Sequence, residues 1–474
     1  MLGLFGTLNM AARSLQAQQT GVEVSGHNLA NVNTAGYSRQ RVDIKTSTAL
    51  PTAVGPEGTG ANAVAIQQLV SAVLNSQIQN QSSTSGYWSG QQGALQNAQN
   101  ALNEFLNGGT STSSTSSSTT SSSSTGLATQ LSGLFSAFQS VATSPGSVSA
   151  RQALIGQTQA LATTFNQVGT QLDTQRTSLN ASLGSDVDSA NKLLADVASL
   201  NKQIASAEFT GGTANDLRDA REQDLENLSH LTNITTSTGT GGAVDVTIGG
   251  QQLVSDNKLL DTLKTYDAGG GNLLVQTATG GVNLTLTGGS MQGTICARDG
   301  TLATLQTGVN TLASTLINQV NAVHSAGYSL TGMTGANFFS GMNAATITVN
   351  PSLADNPSLI QASGSATATG DNSVALQLAQ LASAAQVALN GQTFGDAYNQ
   401  SVADLGNALQ YANNQVTSQT AVATMLSTQR SSISGVNVDE EMTNLMSYQR
   451  AYAASAELVK TVDQMIQTVL SIKT

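Results

Sequence analysis

The last helical stretch of this chain, residues 438–472, reads VDEEMTNLMSYQRAYAASAELVKTVDQMIQTVLSI. It contains no proline, so an α-helix can run through it without a break. Asp439, Glu440 and Glu441 stand in its first turn, where the helix dipole favours negative charge. Its other recurring side chains lie three, four or seven residues apart, which is the spacing of a coiled-coil stripe. This stripe consists of Val438, Met442, Leu445, Gln449, Tyr452, Ala456, Val459, Ile466 and Val469.

A second stripe of the same kind lies at the opposite end of the chain, in a predicted helix over residues 3–30. One helix cannot bury such a seam alone, so the simplest partner of each terminal helix is the other. The sequence therefore predicts a coiled coil made from both chain ends, with the body of the protein inserted between them. This plan favours assembly over catalysis. The N-terminal stripe consists of Leu8, Ala12, Leu15, Gln19, Val22, Gly26 and Leu29.

The composition of the 474 residues limits the classes of partner. Only 9% of the side chains are charged, and the net charge is −11. An acidic chain disfavours a nucleic-acid or acidic-membrane partner. A surface of Ser, Thr, Asn and Gln suits subunits that pack against copies of themselves, because a neutral polar group costs less to bury than a charge. A low-charge secreted protein without an assembly role is the plainer alternative.

Cysteine use and hydropathy bear on the compartment. The single cysteine, Cys296, rules out a disulfide framework or a thiolate metal site within the chain. The chain contains no run of 18 apolar residues, so no membrane span is predicted. Arg13 follows the apolar start instead of preceding it, which is unlike a Sec-type signal peptide. Export would therefore use a route that reads an uncleaved N-terminus.

The body is predicted to be mainly helical. Residues 31–60 form a loop and extended stretch, and Thr110–Thr125 is a pure Ser/Thr tract that cannot build a core. We interpret this tract as a solvated surface loop, with O-glycosylation as the alternative. Periodic apolar positions predict helices over 63–106, 127–142, 148–207, 214–230, 297–324, 372–388 and 396–430.

The pattern changes to strands near residue 235. Val244, Val246 and Ile248 alternate with polar residues before Gly249-Gly250, which predicts a hairpin. Further strands are predicted over 259–266, 272–279, 282–286 and 346–349. The fold class is thus mainly α with a small antiparallel β part. We expect an assembly domain from 1–60 with 432–474, a middle helical domain from 61–235 with 296–431, and a β subdomain over 236–295.

No catalytic or metal-binding pattern stands out. His27, His230 and His324 are far apart and lack ligand-spaced partners. His27 is expected to make a local hydrogen bond. The densest charges lie in the 214–230 helix, where Asp and Arg can pair along one solvated face. We therefore predict no enzyme, no metal and no cofactor. These charges are Asp216, Arg218, Asp219, Arg221, Glu222, Asp224 and Glu226.

The segment Ala30–Gln40, ANVNTAGYSRQ, resembles the signature that follows the first helix in axial proteins of the bacterial flagellum. Those proteins usually have Pro where this chain has Ala35. Asn and Gly favour a turn here, and Tyr37 can hold that turn against the coiled coil. The closing segments 434–441 and 448–452 are similar to the C-terminal signature of the same proteins.

Further segments resemble the hook-associated proteins of the hook–filament junction. Two departures matter: the Ser/Thr tract resembles an insertion, and only a short stretch separates Phe339 from Ile347. Many family members carry a large outer β domain there, so the resemblance implies a reduced form without it. The similar segments are Ser38-Arg39-Gln40, Pro145 with Arg151, 215–221 (where Arg218 and Glu222 depart from the usual run), 249–254, 298–300, 321–328 and Phe338-Phe339.

The resemblance implies a structural protein exported through the flagellar type III route and assembled outside the cell at the hook tip. Its partners would be copies of itself in a ring layer, the hook protein, a second junction hook-associated protein and an export chaperone. A hook or rod protein is the nearest alternative, although the predicted helix over 148–207 disfavours the mostly β hook protein. A secreted adhesin is a more distant one.

The two apolar stripes and the turn supply the predicted assembly interface. Because a helix pair so rich in Asn and Gln is marginal alone, we predict that residues 1–30 and 440–474 are mobile in the monomer and order on assembly. The interface residues are Leu8, Leu15, Val22, Leu29, Tyr37, Met442, Leu445, Tyr452, Val459 and Ile466.

Overall fold

Long helices make up most of the computed structural model, which describes residues 3–52, 55–106, 126–209 and 211–472. The predicted loop Thr110–Thr125 lies outside these residues. The helices are α1 (Leu4–Ala30), α2 (Ala72–Leu106), α3 (Leu127–Thr143), α4 (Val148–Glu208), α5 (Asn215–Leu231), α6 (Gly289–Cys296), α7 (Ala303–Ser325), α8 (Pro351–Asp355), α9 (Ser373–Gln380), α10 (Phe394–Ser434) and α11 (Val438–Ser471).

The strands are short and antiparallel. They are β1 (Gln40–Thr46), β2 (Leu50–Thr52), β3 (Gly55–Glu57), β4 (Ala61–Gln68), β5 (Ile234–Thr238), β6 (Val244–Ile248), β7 (Gln251–Ser255), β8 (Lys258–Leu259), β9 (Leu263–Asp267), β10 (Leu273–Thr277), β11 (Phe339–Ser340) and β12 (Thr348–Val349). Strands β5–β8 form one sheet in chain order, and the others pair as β1–β4, β2–β3, β9–β10 and β11–β12. This confirms the predicted fold class, mainly α with a small antiparallel β part.

The two terminal helices pack against each other, as predicted, in antiparallel orientation. Asn28 contacts Glu441, and Ser14 contacts Ser455. Between these two pairs, the backbone of Gly21 lies against the Tyr448 ring. Successive contacts are seven residues apart on each helix, which is the coiled-coil period.

The stripe predicted on α1 differs in phase from the observed seam. On α1 the buried positions include Ala11, Ala17, Gly21, Val24 and Asn28, whereas the predicted stripe lies one residue further on. One residue turns a helix by about 100°, so that stripe lies beside the seam. The physical reason is size: small side chains let the two backbones approach, and hydrophobicity alone does not identify them.

The longest helix, α4, connects two hydrophobic cores. Its first half packs against α3 and α7, and α9 and α10 complete the same core around Phe138, Phe165 and Phe338. Its second half packs Leu183, Val187 and other apolar side chains against the sheet and the β9–β10 hairpin. The periodic apolar side chains of the predicted 148–207 helix are therefore buried along nearly its whole length. Ser147 caps the helix by accepting a hydrogen bond from the amide of Ala150.

The β region follows the prediction with two corrections. The β6–β7 hairpin turns at Gly249-Gly250, where both residues have positive φ as this turn requires. The predicted 259–266 strand is split, because the Asp261 carboxylate accepts backbone hydrogen bonds from Thr279 and Gly280 and shapes a loop there. The predicted 282–286 strand is absent from this described segment. Residues 282–286 instead make one isolated bridge to β10, at Asn283, and bury Leu284 and Leu286.

Three helix boundaries differ from the prediction. Residues 61–68 pair with β1 as a strand, so α2 begins at Ala72 and not at residue 63. The predicted 297–324 helix starts earlier, with α6, and passes through a π-helical turn over Ala297–Leu302. The predicted 372–388 helix ends at Gln380. Beyond it, the backbone amides of residues 381–383 donate hydrogen bonds to carbonyls three residues earlier instead of four, which is the tighter pattern of a 3-10 turn.

Strands β11 and β12 are joined by residues 341–347, at the position where the resemblance places an outer β domain. Gly341 makes this short connection possible, because its φ of +100° is a conformation that other residues adopt only under strain. Within the described residues, no helix combines the length and the hydropathy needed to cross a bilayer.

Candidate assembly interface

The predicted interface residues lie around the seam of the terminal helix pair. Met442 and Tyr452 are each 41% exposed, whereas Leu445, Val459 and Ile466 are half-buried. On α1, the predicted residues Leu8, Leu15, Val22 and Leu29 are also half-buried. Each of these predicted residues therefore keeps part of its apolar surface in contact with water.

The exposed apolar surface of α11 extends beyond the predicted residues. A soluble monomer rarely exposes so many large apolar side chains on one helix, and such surfaces mark interaction sites. A partner that covered α11 would remove this surface from water. The additional exposed side chains are Val438, Met446, Leu458, Met465, Val469 and Leu470, followed by Ile472 directly after the helix.

The seam itself is built from small and polar groups. A Cβ atom added at Gly21 would lie 2.7 Å from the Tyr448 ring, so only glycine fits this crossing. The hydroxyls of Ser14 and Ser455 are 3.0 Å apart across the two helices. Val462 on α11 is buried further along the same face. Such a seam depends on close backbone approach more than on apolar area.

Asn28 joins both terminal helices to the turn that follows α1. Its amide nitrogen donates to the carbonyl of Gln40 at 2.8 Å and to Glu441 Oε2 at 3.1 Å. Its amide oxygen accepts from the amide of Gln40 at 2.9 Å and from the Tyr37 hydroxyl at 2.8 Å. Every hydrogen-bonding position of this buried side chain is therefore used. Burial, followed by the charge of Asp216, raises the pKa of the Tyr37 hydroxyl, which stays protonated as a donor.

Arg39 closes the same junction from the side of the turn. Its Nε and Nη2 atoms each lie 2.7 Å from Glu441 Oε1, and Nη2 lies 3.0 Å from Glu440 Oε1. Glu441 is only 3% exposed. The acidic first turn of α11, interpreted from the sequence as a helix-dipole feature, thus also forms a buried ion pair with the other end of the chain.

The charges of α5 do not form a solvated face, so that interpretation was wrong. Arg218 makes a two-pronged pair with Glu208 of α4, with both distances 2.8 Å. Arg221 donates to Asn201 and to the carbonyl of Gly242, each at 2.8 Å. Glu226 pairs with Arg430 of α10. Helical spacing alone indicates pairing within the helix, whereas the surrounding elements supply better-placed partners.

The acidic side of α5 contacts the turn after α1. Asp219 Oδ2 accepts from the amide of Ser38 at 2.8 Å, and Asp216 Oδ1 accepts from Gln40 Nε2 at 2.7 Å. Burial raises the pKa of Asp219 from its ordinary value. Burial lowers the pKa of Arg221 to about 10, which still leaves it charged at neutral pH.

Two of the histidines make structural contacts. His27 makes the expected local contact, with Nδ1 3.1 Å from the Tyr37 hydroxyl. His324 is buried between the carbonyl of Ala336 and the amide of Gln361. Within the part of the chain that the structure describes, no three His, Cys, Asp or Glu residues could hold a metal ion together.

Sequence reasoning missed the residues that hold this junction, namely Gly21, Asn28, Asp219 and Glu441. Asn28 and Gly21 carry no apolar signal, and the partners of Asp219 and Glu441 are distant in sequence. The quoted turn segment Ala30–Gln40 was the nearest available indication, because Tyr37, Ser38, Arg39 and Gln40 all bond to the missed residues.

Three family models match the chain. The model of the flagellar hook-associated protein FlgK helical domain matches residues 113–339. The model of the flagellar basal body rod FlgEFG protein C-terminal region matches residues 427–472, and that of the flagella basal body rod protein matches residues 8–37. The last two coincide with α11 and α1, the helices that pair.

Full-length relatives agree with these models. Flagellar hook-associated protein 1 of Bacillus subtilis is 26% identical over 518 residues, with 99% of each chain covered. The protein of the same name from Escherichia coli is 24% identical, covering 98% of this chain and 99% of its own. The solved structure of the flagellar hook junction protein FlgK from Burkholderia pseudomallei superposes with a TM-score of 0.63. It shares 19% identity and covers 76% of this chain and 100% of that one, which supports the fold.

Proposed function

The chain belongs to the flagellar hook-associated protein 1 family, and we propose that it forms the junction between hook and filament as a ring of structural subunits. The terminal helix pair is the part of the subunit that packs against neighbouring subunits. The ten predicted interface residues, from Leu8 on α1 to Ile466 on α11, are the contacts we assign to that packing.

The observation that carries this proposal is the apolar surface left on a helix pair made from both chain ends. Tyr452 and Met442 are exposed although α11 is already paired with α1. In a chain with 9% charged residues, few charges would need to be desolvated when copies pack side by side. The surface is therefore suited to repeated contacts between copies.

The partners follow from the position of such a subunit. We propose that copies of the chain occupy one ring layer, between the hook protein and a second junction hook-associated protein. Export would use the flagellar type III route, with a cytoplasmic chaperone, and the assembled protein would lie outside the cell. The proposed assembly domain is 1–60 with 432–474. The proposed middle domain is 61–235 with 296–431, and the proposed β subdomain is 236–295. We also propose that the short connection between Phe339 and Ile347 replaces the outer β domain.

An alternative position is the hook or the rod, because the rod and FlgEFG models match both terminal helices. The helical body of the protein disfavours a position in the hook or the rod. The FlgK helical-domain model matches the region that contains α4, a 61-residue helix that organises both hydrophobic cores. A mostly β hook-protein body would not contain such a helix.

Deletion of the gene, followed by electron microscopy of the cells and analysis of the medium, tests the position. We expect hooks without filaments and flagellin monomers in the medium, both reversed by a plasmid copy of the gene. Cells without hooks would move the protein to the hook or rod. Cells with normal attached filaments would reject a flagellar role.

A further inference from the structure

The terminal helices and the ribbon beside them form one structural unit with narrow covalent links to the rest of the molecule. We define the terminal unit as α1, the turn over residues 31–39, β1–β4 and α11; β1 and β4 both pack on α1. The chain passes from it to α2 through residues 69–71, and from α10 back to it through residues 435–437. Two short links of this kind permit a change of angle unless other contacts prevent it.

Several hydrogen bonds oppose such a change. Thr213 and Asn215 donate to the carbonyl of Ile66, and the amide of Arg39 donates to the carbonyl of Ser434. The carboxylate contacts come from the first half of α5. Asp219, 8% exposed, accepts from the amide of Ser38 at 2.8 Å and from Gln68 Nε2 at 3.3 Å. Asp216 accepts from Gln40 Nε2 at 2.7 Å. One helix thus bonds to the turn and to the ends of both strands of the ribbon. We call Asp216 and Asp219 the α5 latch.

A cleft lies beside the latch instead of a packed apolar interface. It has a volume of about 740 Å³ and is lined by both sides of the junction, including Tyr37, Asp219, Arg430 and Val436. An open cleft leaves room for the two sides to move relative to each other. Directional hydrogen bonds, and not close packing, therefore maintain the observed angle across it.

We propose that the α5 latch sets the angle between the terminal unit and the rest of the subunit, and that its release lets the terminal unit swing about residues 69–71 and 435–437. The significance of this angle for assembly rests on the proposed function. In a ring, the angle would decide how far the terminal helices reach toward the adjoining layers. The latch is thus a positioning device for the assembly interface.

Distance measurements between two spin labels on the purified full-length protein test the latch. In a Cys296→Ser background, Val64→Cys on β4 of the terminal unit and Val387→Cys on the body offer exposed labelling sites. We expect one narrow distance distribution for the otherwise unchanged protein. Asp219→Ala should broaden it or shift it, because the Ser38 amide then loses its acceptor. An unchanged distribution in a folded Asp219→Ala protein would overturn the proposal.

Because Asp219 is buried, a second variant is needed for the case in which Asp219→Ala does not fold. Asp216 is largely exposed, so Asp216→Ala removes half of the latch with little risk to the core. It should broaden the distribution less than Asp219→Ala. If Asp219→Ala fails to fold, an unchanged distribution in Asp216→Ala overturns the proposal by itself. Asp224→Asn is the matched control on the same helix, because Asp224 neighbours Asp196 and Lys192 instead of the turn.

This measurement does not depend on the flagellar role. The distances are recorded on the free subunit, whereas the deletion experiment records a phenotype of cells. Attached filaments in the deletion strain would reject the proposed function and leave the latch result standing. An unchanged distribution in both latch variants would reject the latch while hooks without filaments still supported the junction role.

Discussion

Gly21 is the position at which the two terminal helices approach most closely. The Tyr448 ring occupies the space where any other residue would place its Cβ atom. Five residues along the same helix, Gly26 has nothing within 4 Å of the same hypothetical atom. Two glycines in one helix therefore differ in physical role: the first permits packing, and the second only weakens the helix.

Alanine substitutions at these two glycines should have opposite effects on the terminal helix pair. Gly21→Ala forces the ring away and should destabilise the pair by about 1–3 kcal/mol. Gly26→Ala should stabilise α1 by about 0.5–1 kcal/mol, because alanine loses less backbone entropy in a helix. Amide hydrogen exchange in α1 and α11 measures both. Equal effects of the two substitutions would refute the assigned contact.

His324 is a buried residue that holds two loops as a neutral imidazole. Its Nδ1 lies 2.8 Å from the carbonyl of Ala336, and its Nε2 accepts from the amide of Gln361 at 3.0 Å. The carbonyl requires the proton on Nδ1, and the amide requires a free Nε2. Burial lowers the pKa of His324 to about 4. A second proton would displace the Gln361 amide, so the folded protein resists protonation.

This shift predicts a loss of stability in acid. Between pH 6.5 and about 4, the unfolded chain protonates His324 and the folded chain does not, so the free energy of unfolding falls as the pH falls. The contribution is on the order of 3 kcal/mol over that window. The free energy of urea unfolding, compared between the wild-type protein and His324→Gln at several pH values, gives the contribution of His324. The carboxylates remain in both proteins and cancel in the difference.

At the scale of an element, α11 has two apolar faces with different tasks. Val462 and Tyr448 face α1, whereas Met442 and Tyr452 remain exposed. A surface helix needs only one apolar stripe to join a fold. The second face of α11 is therefore surplus in the free subunit, and its use belongs to the assembled structure.

Aspartate substitutions on the two faces of α11 should separate folding of the pair from assembly. Tyr452→Asp should leave the free subunit unchanged yet prevent its incorporation at the hook tip, because the charge would be buried against a neighbour. Val462→Asp should separate α1 from α11 in the free subunit. Leu445→Asp and Val459→Asp should also block incorporation while the middle domain stays folded. Immunogold labelling of hooks and circular dichroism of purified variants measure the two effects.

Normal motility with Tyr452→Asp protein at the hook tip would contradict the assembly role of that face. Glu457→Gln, a change at an exposed position of the same helix, is the control and should assemble normally. The export step needs its own readout, so the amount of each variant in the medium should be compared with that of the wild-type protein.

At the scale of the whole molecule, the apolar burial is unevenly distributed. The body buries large side chains such as Phe138, Phe165 and Leu194 in two cores. The terminal pair buries mainly Ala11, Ala17, Val24 and Val462. Because stabilisation scales with apolar area, the pair contributes far less per residue than the body does. The subunit is therefore expected to open first at its ends.

Amide exchange across the free subunit should show this gradient. We expect rapid exchange in α1 and α11, slow exchange in α4 and α7, and slower exchange of the terminal helices once the protein is assembled. Mass spectrometry of peptic fragments resolves these segments. Protection of the terminal helices equal to that of α4 in the free subunit would contradict the prediction that they order on assembly.

The sequence by itself determined the mainly helical class, the long helix α4, the β6–β7 hairpin and the pairing of both chain ends. Each of these rests on a local period or on a glycine turn that agrees with the packing of the rest of the chain. The turn segment Ala30–Gln40 also indicated the flagellar family, because its residues are read in order without knowledge of their partners.

Only the tertiary structure decided the phase of the terminal seam, the strand character of residues 61–68 and the partners of the α5 charges. In each case the local sequence pattern is compatible with more than one arrangement. The choice depends on groups outside the local segment: Tyr448 for Gly21, strand β1 for residues 61–68, and Ser38 for Asp219. Close backbone approach and buried hydrogen bonds depend on three-dimensional fit, which periodicity in one sequence does not encode.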